Sequence, residues 1–140
     1  IVDPEDRVIE DISTPKSVSY RSMLKHNYIA CLTAIYDTKK VGKVYMPGIR
    51  KRQDFALWLK ILKLIRYANR CDGLLGQYRI RPSSLSESKL DALKFYWIVL
   101  RDVASCNKFS ASYYVINYLF IVFFKKKFPG LYGRVIKLND

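Results

Sequence analysis

Asp54 is the only carboxylate in residues 44–66, a stretch rich in basic and apolar side chains. Arg50 and Arg52 precede it closely, and Trp58 follows one helical turn later. A carboxylate flanked by cations can serve as a general base near an anionic ligand. The same acid also suits a helix start, where it faces unpaired backbone N–H groups and the positive end of the helix dipole. The pattern alone leaves both interpretations open.

The residues that follow Asp54 predict a helix buried over most of its circumference. Lys60, Lys63 and Arg66 recur at every third position and form one narrow basic stripe. Steps of three and four from Asp54 reach apolar positions, so its side chain is expected on the buried side. We expect this helix to end near Asn69. The apolar positions are Phe55, Leu57, Trp58, Leu59, Ile61, Leu62, Leu64 and Ile65.

The composition indicates one ordered domain with a strongly basic surface. The chain has 140 residues, of which 50% are hydrophobic. Residues 1–12 hold five acids and one arginine, which leaves 24 basic and seven acidic residues in 13–140, a difference of +17. Such a surface attracts phosphate in nucleic acid, nucleotide diphosphates or anionic lipid. No DNA- or RNA-binding signature is present, and we expect no nucleic-acid partner.

Cysteine and histidine usage favours a reducing, cytoplasmic compartment. Cys31, Cys71 and Cys106 lie far apart, and His26 is the only histidine. Neither metal-ligand spacing nor a disulfide framework is visible. His26 is expected at the surface or in a cap rather than in catalysis. The chain starts at Ile1 without an initiator Met or signal peptide, so we expect residues 1–140 to be a single domain or a fragment.

The local patterns predict an α/β, helix-rich arrangement with a few short strands. Ser17 or Ser19 can cap a helix that ends near His26. The expected elements up to residue 81 are a short strand or extended lead-in over 1–14, a buried strand over 27–37, a turn over 38–42, a loop over 43–52 and a second strand over 73–81. A capping box at Ser84 and Glu87, or at Ser86 and the acid-bearing turn after it, is expected next. A helix over 87–104 should follow, with Leu90, Leu93, Tyr96 or Trp97, and Leu100 on one face.

The carboxyl-terminal section predicts a basic, aromatic helix at about 110–128. Residues 113–124 read YYVINYLFIVFF, and Lys125, Lys126 and Lys127 follow at once. A transmembrane helix needs about 20 apolar residues, so this run is too short to cross a bilayer. It can lie in the membrane interface with its lysines on anionic headgroups, or pack on the core. The two are compatible if only one face is buried.

Asp54 is followed by Leu-Trp-Leu and later by a Tyr-Arg-x-Arg segment at 78–81. These motifs resemble the carboxyl-terminal half of bacterial family 2 glycosyltransferases, above all those that build teichuronic acid and other surface polysaccharides. The resemblance covers about 17–101 and, more weakly, the aromatic tail. The matching positions are Asn27, Thr33 to Asp37, Gly42 and Lys43, Tyr45 to Pro47, Arg50 to Lys60, Tyr78 to Arg81, Ser84, Ser86 and Lys89.

The resemblance implies the acceptor-side portion of an A-type glycosyltransferase fold. In that family, an Asp-x-Asp motif in the amino-terminal half holds a divalent metal on the sugar diphosphate, and this chain has no Asp-x-Asp. Mn²⁺ or Mg²⁺ is therefore expected for the full-length enzyme, bound outside this chain. The second acid of an acidic pair is the family's general base, which corresponds to Asp54. Gln53 stands where the first acid is common.

The resemblance also implies substrates and the residues that contact them. The expected partners are a nucleotide-sugar and a saccharide or lipid-linked acceptor, used in an inverting transfer at the cytoplasmic face of the membrane. Arg79 and Arg81 are the first candidates to stabilise the leaving group, and Arg50 and Arg52 the second. Trp58 can stack on an acceptor sugar, although a tryptophan in an apolar helix more often belongs to the core.

A second class of function stays open at this point. A non-catalytic basic adaptor would use the same positive surface and aromatic tail to bind a membrane surface or a partner protein. Its Asp54 would be a helix-start residue without a ligand. Exposed strand edges could also drive formation of a homodimer.

Overall fold

The structure is a computed structural model that describes residues 1–12, 14–73, 75–80, 89–128 and 130–132. Helices dominate it, with two short strands, as expected for a helix-rich α/β chain. The elements are β1 (Ser17–Ser19), α1 (Tyr20–Lys25), a 3₁₀ turn (Cys31–Thr33), α2 (Thr38–Val41), α3 (Gln53–Leu64), β2 (Tyr67–Asn69), α4 (Lys89–Ile98), a π-helical turn (Val99–Val103) and α5 (Lys108–Lys127).

Helix α3 is the centre of the hydrophobic core, as its sequence pattern predicts. Phe55 to Leu59, Ile61 and Leu62 are all buried. Lys60 and Lys63, on the basic stripe, donate to the carbonyl oxygens of Tyr45 and Val103, at 3.2 Å each. The core around α3 is completed by residues of α1, α4, the π-helical turn and α5: Met23, Leu24, Tyr96, Val99, Leu100 and Ala111.

The end of α3 differs from the expectation. The helix stops at Leu64, and Tyr67–Asn69 instead form β2, which pairs antiparallel with β1 in the register Ser17 to Asn69. A helical pattern cannot reveal this ending, because the strand depends on a partner about 50 residues earlier in the chain.

Helix α1 starts as its sequence predicts. Ser19 is the N-cap, and its hydroxyl oxygen accepts a hydrogen bond from the Ser22 backbone N–H at 3.2 Å. Ser22 completes a capping box, because its own hydroxyl accepts from the Ser19 N–H at 2.9 Å. The helix ends at Lys25, with His26 as its C-cap. This ending places Asn27 directly beyond the helix.

Both strands predicted from apolar runs are wrong. Within 27–37 only the 3₁₀ turn Cys31–Thr33 is regular, and the Ile35 side chain is 95% exposed. The described part of 73–81 makes one isolated bridge, in which Tyr78 and Ile80 exchange hydrogen bonds with Val2. Short apolar runs do not form strands without a neighbouring strand to pair with. The expected turn at 38–42 holds α2, and 43–52 is a loop as predicted.

The two carboxyl-terminal helices lie where the sequence predicts them. α4 runs into the π-helical turn, with Tyr96 and Leu100 buried but Leu90 82% exposed, so the predicted apolar face holds only in part. The capping box at Ser84 and Glu87 lies outside the described residues. α5 starts after the N-cap Asn107, whose side chain accepts from the Ser110 N–H at 2.8 Å. Within the described ranges, no helix is both long and apolar enough to span a bilayer.

Candidate functional site

The entry into α3 has an unusual backbone. Arg52, the N-cap residue, is in the left-handed region with φ 64° and ψ 24°. A side chain there costs about 1 kcal/mol or more relative to glycine, so other contacts must offset the strain. The Arg52 guanidinium donates to the Tyr118 hydroxyl at 2.8 Å. It also lies over the rings of Tyr118 and Tyr96, 5.4 and 5.9 Å from their centroids. These aromatic contacts hold the first turn of α3 in place.

Asp54 lies in the first turn of α3 and is half-buried. Because Arg52 is the N-cap residue, Asp54 does not itself cap the helix. The Asn27 side-chain amide donates to Asp54 Oδ2 at 3.1 Å. The Asn27 amide oxygen accepts from the Ile29 N–H at 3.3 Å, which fixes the orientation of the amide and directs its NH₂ group at Asp54. One carboxylate oxygen is therefore held by an oriented donor.

His26 lies on the same side of the core as this pair. Its ring stacks on Tyr118 with centroids 6.0 Å apart and meets Tyr28 edge-on at 4.9 Å. Burial, with the positive charges of Lys125 and Arg52, lowers the His26 pKa to about 4. The imidazole is therefore neutral near pH 7. Its Nδ1 atom is buried and has no hydrogen-bond partner within the described structure. The observed position is a packed C-cap, in line with the expected structural role.

A buried tyrosine links this side of the core to α1. Tyr96 lies between Arg52, Phe55 and Tyr118, with ring centroids 5.2 Å from Phe55 and 4.6 Å from Tyr118. Its hydroxyl donates to the Leu24 carbonyl oxygen. Burial raises the pKa of Tyr96 well above its ordinary value, so it stays a neutral donor. α1, α4 and α5 thus all contribute to the contacts at the entry of α3.

The other residues chosen from the sequence are spread over the molecule. Trp58 is buried in the core, with its indole N–H unpaired in the described structure. Arg79 binds the amino-terminal segment, donating to Asp6 Oδ1 at 2.5 Å and to the Pro4 carbonyl oxygen at 2.9 Å. Arg81 lies outside the described residues. The structure thus brings Asp54 and Arg52 together in one helix entry, and it places Arg79 and Trp58 in other contacts.

Arg50 lies near α4. The hydrogen bond and the positive charge of Lys51 lower the pKa of Asp91, and the charges of Lys94 and Arg50 lower it further. Lys51 Nζ and Asp91 Oδ2 are 2.9 Å apart. The loop before α3 is therefore attached to α4 by an ion pair one residue away from Arg52.

A large apolar cavity adjoins α3 but does not include Asp54. Its volume is about 810 Å³, and its lining includes Val18, Tyr28, Trp58, Ile61 and Leu62. The unpaired Trp58 indole belongs to this lining. Neither Asp54 nor Asn27 lines it, so its size says nothing about a substrate at Asp54.

In the parts of the chain that the structure describes, no group of three or more His, Cys, Asp or Glu side chains could hold a metal ion. The Asn27 amide is the side-chain partner that the described structure gives Asp54. The divalent metal expected for a full-length enzyme stays a prediction about groups beyond these residues.

Curated relatives identify the chain's family. A Bacillus subtilis (strain 168) protein named as a teichuronic acid biosynthesis glycosyltransferase, TuaG, is 36% identical over 107 residues, 76% of this chain and 42% of TuaG. The chain belongs to the glycosyltransferases. This confirms the resemblance that the sequence motifs indicated.

Two Escherichia coli relatives extend the comparison. WfgD is 33% identical over 128 residues (91% of this chain, 50% of WfgD), and WfaP is 34% identical over 117 residues (81% and 46%). Both are named UDP-Glc:α-D-GlcNAc-diphosphoundecaprenol β-1,3-glucosyltransferase. This glycosyltransferase chain spans about half the length of the curated relatives it matches. No family model and no solved structure matches it.

The sequence patterns assigned no part in the site to Asn27, which contacts Asp54, or to His26, Tyr96 and Tyr118, which lie near Arg52. Asn27 lies 27 positions before Asp54, and Tyr118 lies 66 positions after Arg52. The local sequence offers one indication of this contact, the polar Asn27 directly after the C-cap of α1.

Proposed function

We propose that this chain is the acceptor-side part of an inverting glycosyltransferase that uses a nucleotide-sugar donor in cell-surface polysaccharide synthesis. Asp54 is the general base. The observation that carries the proposal is the half-buried Asp54 carboxylate, held at one oxygen by Asn27 in the first turn of α3, directly after the N-cap Arg52 and Gln53.

The chemistry requires one proton transfer at Asp54. The carboxylate removes the proton of an acceptor hydroxyl while that oxygen attacks the anomeric carbon of the donor. The bond from that carbon to the nucleotide diphosphate breaks on the opposite side, and the configuration inverts. Asn27 supports this step by fixing the direction of the carboxylate, since small displacements of a reacting group slow catalysis strongly.

The leaving diphosphate gains negative charge, which cations must stabilise. Arg50 and Arg52, close to Asp54 in sequence, are our candidates in the described structure, and Arg81 and Arg79 remain candidates from the sequence. A divalent metal bound outside this chain supplies further stabilisation in the complete enzyme. Trp58 is only 6% exposed and lines the apolar cavity rather than the surroundings of Asp54, so a sugar stacked on it would have to occupy that cavity.

The names of two relatives suggest the substrates to try first. WfgD and WfaP are named for UDP-glucose as donor and a diphosphoundecaprenol-linked sugar as acceptor. We propose the same chemical classes here, a UDP-sugar and a lipid-linked saccharide, at the cytoplasmic face of the membrane. The relatives' names give no support to the non-catalytic adaptor, and a homodimer stays a prediction.

The test measures nucleotide release and product formation by the complete enzyme that contains this chain, with a panel of UDP-sugars and Mn²⁺ or Mg²⁺. Asp54→Asn should lower kcat at least about a hundredfold while donor binding persists. Asp37→Asn is the matched control, because Asp37 caps α2 and accepts from the Lys39 N–H at 2.8 Å. If Asp54→Asn is as mild as Asp37→Asn, Asp54 is only a helix-start residue. The 140-residue chain alone should not transfer sugar.

A further inference from the structure

Helix α5 has two apolar faces, and the fold buries only one of them. Ala111 is fully buried, and Tyr114, Val115 and Tyr118 pack against the core. These four residues occupy one side of the helix. A helix that packs only on a core would carry polar residues on its other side.

The opposite side of α5 is a row of large exposed apolar residues. We name it the outer stripe. At 100° per residue its members fall within an arc of about 80°, and the row is about 21 Å long. Its members are Phe109 (89% exposed), Tyr113 (54%), Ile116 (65%), Phe120 (66%) and Phe123 (58%).

Basic residues continue the outer stripe at its carboxyl-terminal end. Lys127 falls on the same helical line as Phe109, and its ammonium group lies 5.7 Å from the Phe123 ring centroid and 5.8 Å from that of Phe128. Lys126 is exposed. Lys125 turns back toward the body of the protein and lies 3.3 Å from Glu10 Oε1. Lys127 thus lies on the line of the stripe and Lys126 about 60° outside its edge, in a chain of net charge +13.

We propose that the outer stripe of α5 docks on the surface of an anionic lipid bilayer, with the helix axis parallel to the membrane plane. The aromatic and aliphatic side chains enter the boundary between headgroups and acyl chains. Lys126 and Lys127 contact acidic headgroups at one end. The positive charge favours a membrane over a second copy of the chain as the partner of the stripe. A second copy would bring two lysine-rich, strongly cationic surfaces together, whereas an acidic membrane surface attracts such a surface.

The orientation follows from the two faces of α5. Since Tyr118 faces inward and binds Arg52, the same helix that touches lipid also anchors the start of α3. The docking surface uses none of the residues assigned to proton transfer. Membrane binding and catalysis can therefore fail independently in an experiment.

The test is flotation of the 140-residue chain with vesicles of phosphatidylcholine, with or without phosphatidylglycerol. We expect binding to the anionic vesicles that weakens as salt is added. Ile116→Ser/Phe120→Ser should lower the affinity at least about tenfold. Lys126→Gln/Lys127→Gln should lower it about 30-fold, at roughly 1 kcal/mol per charge. Phe109→Ser/Tyr113→Ser, at the other end of the stripe, provides a second apolar pair.

Matched controls change equally exposed residues elsewhere. Ile35→Ser/Leu64→Ser removes two apolar side chains that are 95% and 64% exposed, and Lys39→Gln/Lys40→Gln removes two adjacent exposed lysines. Both controls should bind like the parent chain or, for the lysine pair, only slightly more weakly.

Three results would overturn the proposal. The parent chain could fail to float with anionic vesicles. Alternatively, Ile116→Ser/Phe120→Ser and Phe109→Ser/Tyr113→Ser could both bind the vesicles like the parent chain, with an unchanged circular dichroism spectrum. Light scattering could instead show a dimer that the Ile116→Ser/Phe120→Ser variant dissociates, without vesicle binding. That last result would assign the stripe to a second copy of the chain.

Discussion

Because His26 is the only histidine of the chain, its titration can be measured without interference from another imidazole. In the fold, burial beside Lys125 and Arg52 lowers the pKa of His26 from 6.5 to about 4. As the pH falls, the unfolded chain therefore takes up this proton first. The neutral imidazole contributes its full stability above about pH 6.5, and that contribution is lost between about 6.5 and 4. A difference of 2.5 units corresponds to about 3 kcal/mol, a large fraction of a typical stability of about 5–15 kcal/mol.

The assay combines an NMR titration of the single imidazole with urea unfolding near pH 7 and pH 5. The unfolding free energy of the parent chain should fall by about 2 kcal/mol between these two conditions because of His26. His26→Phe keeps an aromatic ring against Tyr118 and Tyr28 but cannot titrate. Its unfolding free energy should therefore fall by about 2 kcal/mol less than that of the parent chain between pH 7 and pH 5. Lys125→Gln removes one facing positive charge and should raise the measured pKa. A His26 pKa near 6.5, or equal pH dependence in His26→Phe, would refute the reasoning.

Three further predictions concern α3 and its entry. Asn27→Ala should lower kcat about tenfold or more in the complete enzyme with donor KM unchanged, because the Asp54 carboxylate loses its oriented donor; a change in KM alone would contradict this. Arg52→Gly should be more stable to urea than Arg52→Ala by about 1 kcal/mol, since only glycine tolerates φ 64° without strain; equal stabilities would show that the backbone is not strained there. Phe55→Ala should cost about 3–5 kcal/mol of unfolding free energy, and exposed Leu64→Ala less than about 0.5.

Features that depend on neighbouring residues could be predicted from the sequence. The Ser19 cap, the buried helix that starts just before Phe55 and the aromatic helix α5 all follow from helical periodicity and capping chemistry. The strands predicted over 27–37 and 73–81 do not form in the described residues: their apolar content matches a strand, but only the single bridge of Val2 and Arg79 pairs with them. The strand β2 could not be predicted for the opposite reason. Its residues continue the amphipathic pattern of α3, and they form a strand because they pair with the distant β1.

The contacts around Asp54 could not be predicted from the sequence. A single acid in a basic and apolar stretch makes Asp54 a candidate, but its contact with Asn27 joins residues 27 positions apart. The contacts of Arg52 with Tyr96 and Tyr118 span still greater separations. No periodicity within one segment encodes such pairs. Arg79 is a candidate to stabilise the leaving group, and in the structure its guanidinium forms an ion pair with Asp6.

The hydrogen bond between Arg52 and Tyr118 has a consequence for synthesis of the chain. Ribosomes release a protein from its amino terminus, so Asp54 and Asn27 emerge long before Tyr118. Until α5 follows, the left-handed backbone at Arg52 lacks the hydroxyl and one of the two rings that hold it. A nascent chain that ends before Tyr118 should therefore lack a fixed entry to α3, and the surroundings of Asp54 should become ordered only once α5 has formed.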